Sequence, residues 1–384
     1  MGWDNIIGHE KTKEIFQHAI LSNKLAGAYL ITGIAGIGKD ALAIEFAKTA
    51  MCETPIIEND TKISACGHCK SCKNMAHLAH VNFDFIFALP TGTTTDTKND
   101  DPFDKLTASV IDEIKEQIAI KAQNPYHRIQ IPSANQIRIS QIRFVKRKLS
   151  MTTNSEGHRF VIISNADEMA AEAANAFLKT LEEPSQNTTI VLTSSRGDTI
   201  LQTIHSRCQH ITCNPLPDDL IISELFKREG ISDVQARIAA TFAQGSYSKA
   251  LDTLQEDTSE LRETALNMLR TSMKKGTYRE ELMKYIEALE KHDKADMLLV
   301  MNFLLFWMRD VAVLANDRNE DKLINVDQLE VMRNFVKAFG KADINLAVKA
   351  IEDSINMIPR NVSVKLCFIS LFIKLRQVFL NRED

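Results

Sequence analysis

No stretch of this chain is apolar for long enough to cross a bilayer. The most apolar run, Met297 to Met308, is followed at once by Arg309-Asp310 and reads as a buried helix. The start, Met1-Gly2-Trp3-Asp4, lacks the basic segment and apolar stretch of a secretory signal, and Ile6 breaks the myristoylation pattern. These absences lead to the expectation of a cytoplasmic protein with no membrane partner. Positive charge is not in excess either. Lysine and arginine number 46 against 50 acidic residues, so any contact with nucleic acid must come from a local patch or from an assembly.

What is present is an ordinary globular composition, 44% apolar and 25% charged, over 384 residues, enough for two or three domains. The stretch Gly33-Ile34-Ala35-Gly36-Ile37-Gly38-Lys39-Asp40 follows the apolar run Ala28 to Thr32 and opens a helix-period segment with Leu42, Phe46 and Ala50. Strand, glycine loop and helix together form the setting in which backbone N–H groups and a helix N-terminus wrap a triphosphate. Gly33, Gly36 and Gly38 would form the cradle and Lys39 would reach the β- and γ-phosphates. Asp40 stands where Ser or Thr usually offers a hydroxyl to Mg²⁺. A carboxylate there can ligate a metal, but it also sets a negative charge beside the phosphates. The expectation is impaired nucleotide handling, with ATP or ADP held weakly or not at all; the bland alternative is a glycine turn with no ligand.

Seven cysteines are unevenly spaced. Cys66, Cys69 and Cys72 form C-x₂-C-x₂-C, and Cys52 lies fourteen residues before the first of them. In a chain of this character the spacing favours a metal over a disulfide, and four thiolates suit a closed tetrahedral zinc site. An iron–sulfur cluster or a chance run are the alternatives, and His68 or His77 can replace Cys52 as the fourth ligand. A closed site leaves no position for a substrate, so its work is to pin an insertion. Cys208, Cys213 and Cys367 read as buried thiols.

Elsewhere, Ile15, Ala19 and Ile20 fit an amphipathic helix, and Asp84 to Leu89 reads as a strand before a Thr-rich surface loop from Pro90 to Pro102. Leu106, Val110, Ile114 and Ile118 form an apolar stripe in an insertion over 103–135 whose role stays open. Ser140 reads as the cap of a helix that turns Ile142, Val145 and Leu149 inward. Its Arg143, Lys146, Arg147 and Lys148 are either a solvated basic face or a phosphate-backbone contact. The strand Arg159 to Ile163 ends in Ser164-Asn165, where P-loop ATPases place the Asp that holds Mg²⁺; Asp167-Glu168 comes beyond the expected turn. A helix over Ala170–Leu181 stops before Pro184, and the strand Thr188–Thr193 ends in Ser194-Ser195, hydroxyls placed to sense a γ-phosphate. A last strand covers His210 to Cys213.

From Pro215 the chain turns helical, first with Leu220, Leu225 and Phe226 and then Ile238, Ala239 and Phe242 facing a core. Four later segments, over 280–291, 295–315, 326–339 and 361–380, carry Phe303, Phe306, Trp307, Phe368 and Phe372. These are too many large groups for one helix face, so some are expected to pack inside and some against other subunits.

Several stretches together resemble one family. They are Ile6-Ile7-Gly8-His9, the loop Gly33 to Lys39, the Cys66/Cys69/Cys72 knuckle, Ala174-Asn175-Ala176-Phe177-Leu178-Lys179-Thr180-Leu181-Glu182-Glu183-Pro184, and Thr203-Ile204-His205-Ser206-Arg207-Cys208. They resemble the clamp-loader AAA+ proteins of bacterial DNA polymerase III, most closely the delta-prime branch, over roughly residues 1–250. The resemblance implies an α/β then all-α chain: a RecA-like AAA+ domain with a parallel sheet and zinc knuckle over 1–215, a small helical lid over 216–256 and a helical collar over 257–384 that assembles into a ring. It implies gamma/tau-like motor subunits and a delta-like subunit as partners and, through the assembly, the sliding clamp and primer–template DNA.

Motor subunits of that family end the glycine loop in Lys-Ser or Lys-Thr and carry Asp-Glu where Ser164-Asn165 stand. They also have a lid arginine where this chain has Ser248, beside Lys249. The departures imply little ATPase activity from this chain alone. The retained Ser206-Arg207-Cys208 implies that Arg207 reaches a neighbour's ATP as an arginine finger in trans; from the residues alone, Arg207 reads as a structural ion pair with an acidic neighbour. Two rivals remain: a motor subunit using Asp40 with Asp167 or Glu168 at the metal, and a zinc-dependent nucleic-acid binder using Cys52–Cys72 and the basic helix around Arg147.

Overall fold

Short apolar runs alternate with 3.6-period segments over the first half of the chain, and the result is a sheet wrapped by helices. The structure is a computed structural model that describes residues 2–91, 101–104, 106–150, 157–231, 233–255, 259–292, 294–316, 323–357 and 363–380. The order begins α1 (Glu10–Leu21), β1 (Ala28–Thr32), α2 (Lys39–Ala50), a hairpin of β2 (Ile56–Glu58) and β3 (Lys62–Ser64), α3 (Lys70–Met75) and β4 (Phe83–Ile86). It continues with α4 (Ala108–Gln123), α5 (Ile139–Ser150), β5 (Arg159–Ile163), α6 (Ala171–Glu182), β6 (Thr188–Ser194), α7 (Gln202–His205) and β7 (Gln209–Thr212).

Five strands pair in the order β4-β5-β6-β1-β7, all parallel. A parallel sheet has both faces covered by helices, so its strands read as unbroken apolar runs; Tyr29, Leu30 and Ile31 are all wholly buried. On one face Phe46 stacks on Phe16 at 4.1 Å between centroids and meets Tyr29 and Phe160 edge-on at 5.3 and 5.4 Å. The other face packs Leu30, Ile190 and Leu192 with Ile142 and Val145 of α5 and Phe177 of α6. In register, Thr32 lies opposite Ser194, and Ile163 opposite Leu192, so the loop after β1 and the turns after β5 and β6 share the carboxyl edge, where α/β sheets bind ligands. This is the parallel α/β sheet, followed by helices, that the resemblance implies.

The remainder is helical: α8 (Asp218–Glu229), α9 (Asp233–Ala243), α10 (Tyr247–Gln255), α11 (Ser259–Ser272), α12 (Tyr278–Leu289), α13 (Lys294–Asn316), α14 (Leu329–Phe339), α15 (Ile344–Met357) and α16 (Val364–Leu380). The chain divides into two compact units, Met1–Glu224 with Ala243–Lys249, and Leu225–Phe242 with Ala250–Asp384. Residues 216–256 are thus shared between them.

Several local expectations need correction. In α1 Ala19 is buried as expected, but Phe16 and not Ile15, which is 36% exposed, fills the inward place beside it. The strand at β4 stops at Ile86, three residues short of Leu89. Ser140 is not the cap of α5, which starts at Ile139; instead the Arg138 N–H donates to Gln141 Oε1 at 3.0 Å, as a capping box does. Phe226 is 61% exposed and belongs to no core. By contrast, α13 ends at Asn316, within one residue of the expected 315, and inside it Asp310 is buried and accepts the N–H groups of Ile324 and Asn325 at 3.1 and 2.7 Å. By length and composition alone its Asp296–Asn316 window is long and apolar enough to cross a membrane, and 67% of it is buried inside the protein. Phe303, Phe306, Trp307, Phe368 and Phe372 are all buried, so none is left to face a neighbour. Among the described residues of this unit, the large apolar groups left half or more exposed are Phe226, Leu346, Leu366 and Ile373. Most of the Pro90–Pro102 loop lies outside the described residues.

Candidate functional site

The glycine loop runs from the end of β1 to the start of α2, with Gly36 at φ +74° and Gly38 at φ +105°. Such angles suit glycine, and so does the space. A Cβ on Gly36 would lie 2.4 Å from Ser246 Oγ, and one on Gly38 would lie 2.9 Å from the Tyr126 ring. In a working phosphate loop glycine lets phosphate approach the backbone; here it lets the protein's own side chains do so. Ser248 donates its N–H to Gly36 O at 3.1 Å and its hydroxyl to Tyr126 O at 2.8 Å. The Tyr126 hydroxyl accepts the Ile7 N–H at 2.7 Å, and its ring meets Tyr247 edge-on. His9 Nε2–H donates to Ile37 O at 3.0 Å.

Lys39 is 5% exposed, and its ammonium donates to Gly33 O and Ile34 O, both at 2.8 Å, and to Ser195 Oγ at 3.2 Å. An ammonium has three protons, and all three are taken within the protein. Burial lowers its pKa, against the pull of the neighbouring Asp40. Asp40 accepts from Thr193 Oγ1 at Oδ1, and from Ser164 Oγ and Lys121 Nζ at Oδ2, at 2.8, 2.8 and 3.0 Å. Burial pushes its carboxyl up, but the Lys121 ammonium and these three donors outweigh burial and hold it below the usual carboxylate range. Gly33, Gly36, Gly38, Lys39 and Asp40 are therefore brought together in one loop and helix start. The groups do not fit Mg²⁺–nucleotide as they stand, since both charged side chains already have protein partners.

Sequence reasoning missed Lys121 and Tyr126. One signal was there: Lys121 is three residues after Ile118 and seven after Ile114, so it falls on the apolar stripe of α4, where a lysine needs a buried partner. Asp167 and Glu168 form a 3-10 turn past β5 and do not reach Asp40. Asp167 accepts from the Ser195 N–H and Arg196 Nε at 3.2 and 3.0 Å, and Glu168 pairs with Arg128 at 3.5 Å.

Arg207 lies apart from the loop's hydrogen-bond network, after α7. Its Nε donates to Glu182 Oε1 at 2.7 Å, Nη2 bonds the same oxygen, and Nη1 donates to Thr203 O at 2.6 Å and Ser206 Oγ at 3.2 Å. The side chain retains 28% of its exposure and Glu182 46%. This is the ion pair with an acidic neighbour that the residues alone suggested.

The Sγ atoms of Cys52, Cys66, Cys69 and Cys72 lie within 4.8 Å of one another, with separations of 3.9 Å (Cys52–Cys69), 3.9 Å (Cys66–Cys72) and 3.6 Å (Cys52–Cys72). A tetrahedron with Zn–S bonds of about 2.3 Å has edges of about 3.8 Å, so the set fits a metal ion. Backbone N–H groups of Cys66, Cys69 and Cys72 donate to the sulfurs of Cys52, Cys66 and Cys69, each at 3.3 Å, as suits thiolates. His68 instead bonds Cys66 O, so the four cysteines form the group without it. Of the lone cysteines, Cys213 and Cys367 are buried and Cys208 half-buried; burial pushes Cys208 up to about 12 and Cys213 to about 11. On α5, Lys146 donates to Ala176 O and Lys148 bonds Asp84, so two of the four basic groups already serve the fold.

Comparison with known proteins agrees with this geometry. The family described as DNA polymerase III, delta subunit, matches residues 8–217, more than half of the chain. DNA polymerase III subunit delta' of Pseudomonas aeruginosa is 33% identical over 192 residues, 50% of this chain and 44% of that protein. Subunit tau of Bacillus subtilis is 24% identical over 325 residues, covering 82% and 48%. Subunit delta' of the same organism is 26% identical over 244 residues, covering 62% and 72%. The chain thus spans about half the length of the first two relatives. With the family match covering the strands, loop and knuckle described above, the chain belongs to the DNA polymerase III delta subunit family.

Proposed function

We propose that this chain is a non-hydrolysing, delta-prime-like subunit of the DNA polymerase III clamp loader, acting in the cytoplasm in DNA replication. On this reading its AAA+ domain, lid and collar join gamma/tau-like motor subunits and a delta-like subunit, and through them the sliding clamp and primer–template DNA. One observation carries it: Lys39 and Asp40 are bonded to the protein's own groups, whereas Arg207 sits half-exposed on an ion pair that is easily given up.

An exposed pair such as Arg207–Glu182 contributes about 0–1 kcal/mol,. An arginine delivered to a neighbour's γ-phosphate is worth about 10³–10⁵ in rate, or ~4–7 kcal/mol of barrier. The second quantity exceeds the first several-fold, so leaving Glu182 is no obstacle to service in trans. Cys52, Cys66, Cys69 and Cys72 would hold Zn²⁺, which supplies a structural crosslink with no open position.

The motor-subunit reading draws on the similarity to subunit tau over 82% of the chain. Against it, Asp167 and Glu168 are engaged by Arg196 and Arg128. The experiment is ATP turnover with and without the partner subunits. The chain alone gives background turnover, and Arg207→Ala leaves its circular dichroism and melting unchanged while lowering turnover by the complete assembly, by about 10³-fold at the site it faces. Motor-rate hydrolysis by the chain alone, or an assembly indifferent to Arg207→Ala, would reject the proposal.

A further inference from the structure

The geometry points to Lys121 as a built-in replacement for the magnesium ion of the glycine loop. In P-loop proteins the residue after the loop lysine offers an oxygen to Mg²⁺, and an acid at the end of a neighbouring strand helps hold the ion. Here those two positions are Asp40 and Ser164, and they are joined to each other, Ser164 Oγ donating to Asp40 Oδ2 at 2.8 Å. A buried carboxylate needs a compensating cation. Lys121 supplies it from α4: its Nζ is 3.0 Å from the same Oδ2, and a second proton goes to His127 O at 2.7 Å. The side chain is 4% exposed and its ammonium lies 5.9 Å from the centre of the Phe85 ring.

Five residues further on, the same insertion lays Tyr126 against Gly38. The insertion over 103–135 thus has a definite role: it closes the loop with its own cation and its own ring. The inference rests on reading 33–40 as a nucleotide loop in a subunit that does not hydrolyse, and it concerns metal entry, independently of Arg207. A magnesium–nucleotide complex cannot use Asp40 while Lys121 holds it. Removing the ammonium should make the carboxylate available to a divalent ion.

The test is Mn²⁺ binding to the purified full chain, read by electron paramagnetic resonance with Mn²⁺ alone and with ADP, in chelator-free buffer so that the cysteine site stays loaded. Wild type takes up no Mn²⁺ in either case. Lys121→Met, which keeps the length of the buried stem, gains one Mn²⁺ per chain with ADP present, and its ADP affinity rises at least about tenfold with the divalent ion. Adding Asp40→Asn to Lys121→Met abolishes the gain. A folded Lys121→Met that binds no Mn²⁺, or a gain that survives Asp40→Asn, overturns the assignment. Mn²⁺-dependent ADP binding by wild type overturns it too, and that measurement stands should Lys121→Met fail to fold. Motor-rate ATP turnover by wild type would instead sink the underlying reading, so the two failures are separable.

Discussion

At the scale of single residues the loop's chemistry was half legible. Lys39 and Asp40 declare themselves by their place after three glycines. The partners of Asp40, however, come from α4 and from the ends of two strands, 81 residues away at Lys121 and 153 at Thr193. Histidines make a second prediction at this scale. Burial lowers the pKa of His9, His80 and His158 below the ordinary 6.5. A base with a depressed folded pKa stays neutral in the native state while the unfolded chain takes up a proton. Its contribution is therefore whole above the unfolded value of 6.5 and is lost as pH falls below it. Each unit of depression amounts to about 1.4 kcal/mol. Melting temperature should fall between about pH 7.5 and 5.5, and His158→Gln, which can still bond Thr189, should fall less steeply. Acid also loosens thiolate-bound metal, but the wild type and the variant share that loss, so the difference in slope reports the imidazole. Equal slopes would remove His158 from the account.

Elements were legible where a run had one plausible period, as with β1, β5, β6 and α6, each placed to within one residue. They were misread where long-range contacts decide. The strand read as running to Leu89 ends at Ile86, and Phe87 O accepts the Gln141 Nε2–H of α5 at 2.7 Å, a contact no local pattern carries. The knuckle is the opposite case, since the spacing of Cys66, Cys69 and Cys72 marks three of its ligands, which lie between the hairpin and the short α3 or on it, while Cys52 comes from before the hairpin. That hairpin is tied to the rest by Trp3 Nε1–H and Gln17 Nε2–H, donating to Ile63 O at 2.9 and 3.3 Å. Metal removal should therefore loosen residues 52–75 and leave the sheet standing. One zinc per chain is expected by atomic emission, none in Cys69→Ser. Either the variant or chelation should open protease cleavage within 52–75 and shift Trp3 fluorescence while far-ultraviolet dichroism barely changes. Complete unfolding on chelation would mean that the knuckle carries more of the fold than a peripheral crosslink does.

On the scale of the whole molecule, helices after Pro215 were legible as helices but not by the core they join. Residues 225–242 belong with the C-terminal helices and 243–249 return to the sheet unit, an interleaving that periodicity does not encode because an apolar stripe names no partner. Each unit has its own core. Phe16, Tyr29, Phe46 and Phe160 form one; Val300, Leu304, Met308, Phe368, Leu371 and Phe372 belong to the other. The two tryptophans divide the same way, with Trp3 in the first unit and Trp307 in the second, where it meets Phe335 at 5.1 Å. Either can be deleted to leave a single reporter, and Trp307→Phe removes an indole N–H that has no acceptor among the described residues. Phe372 is 1% exposed, so Phe372→Ala leaves a cavity and costs about 3–5 kcal/mol. In urea, the Trp307 transition, followed in a Trp3→Phe background, should move to lower denaturant by that amount. The Trp3 transition, followed in a Trp307→Phe background, should stay where it is. If Phe372→Ala moves both midpoints equally, the two cores unfold as one cooperative body, and an account of this chain as two units with separate stabilities is wrong.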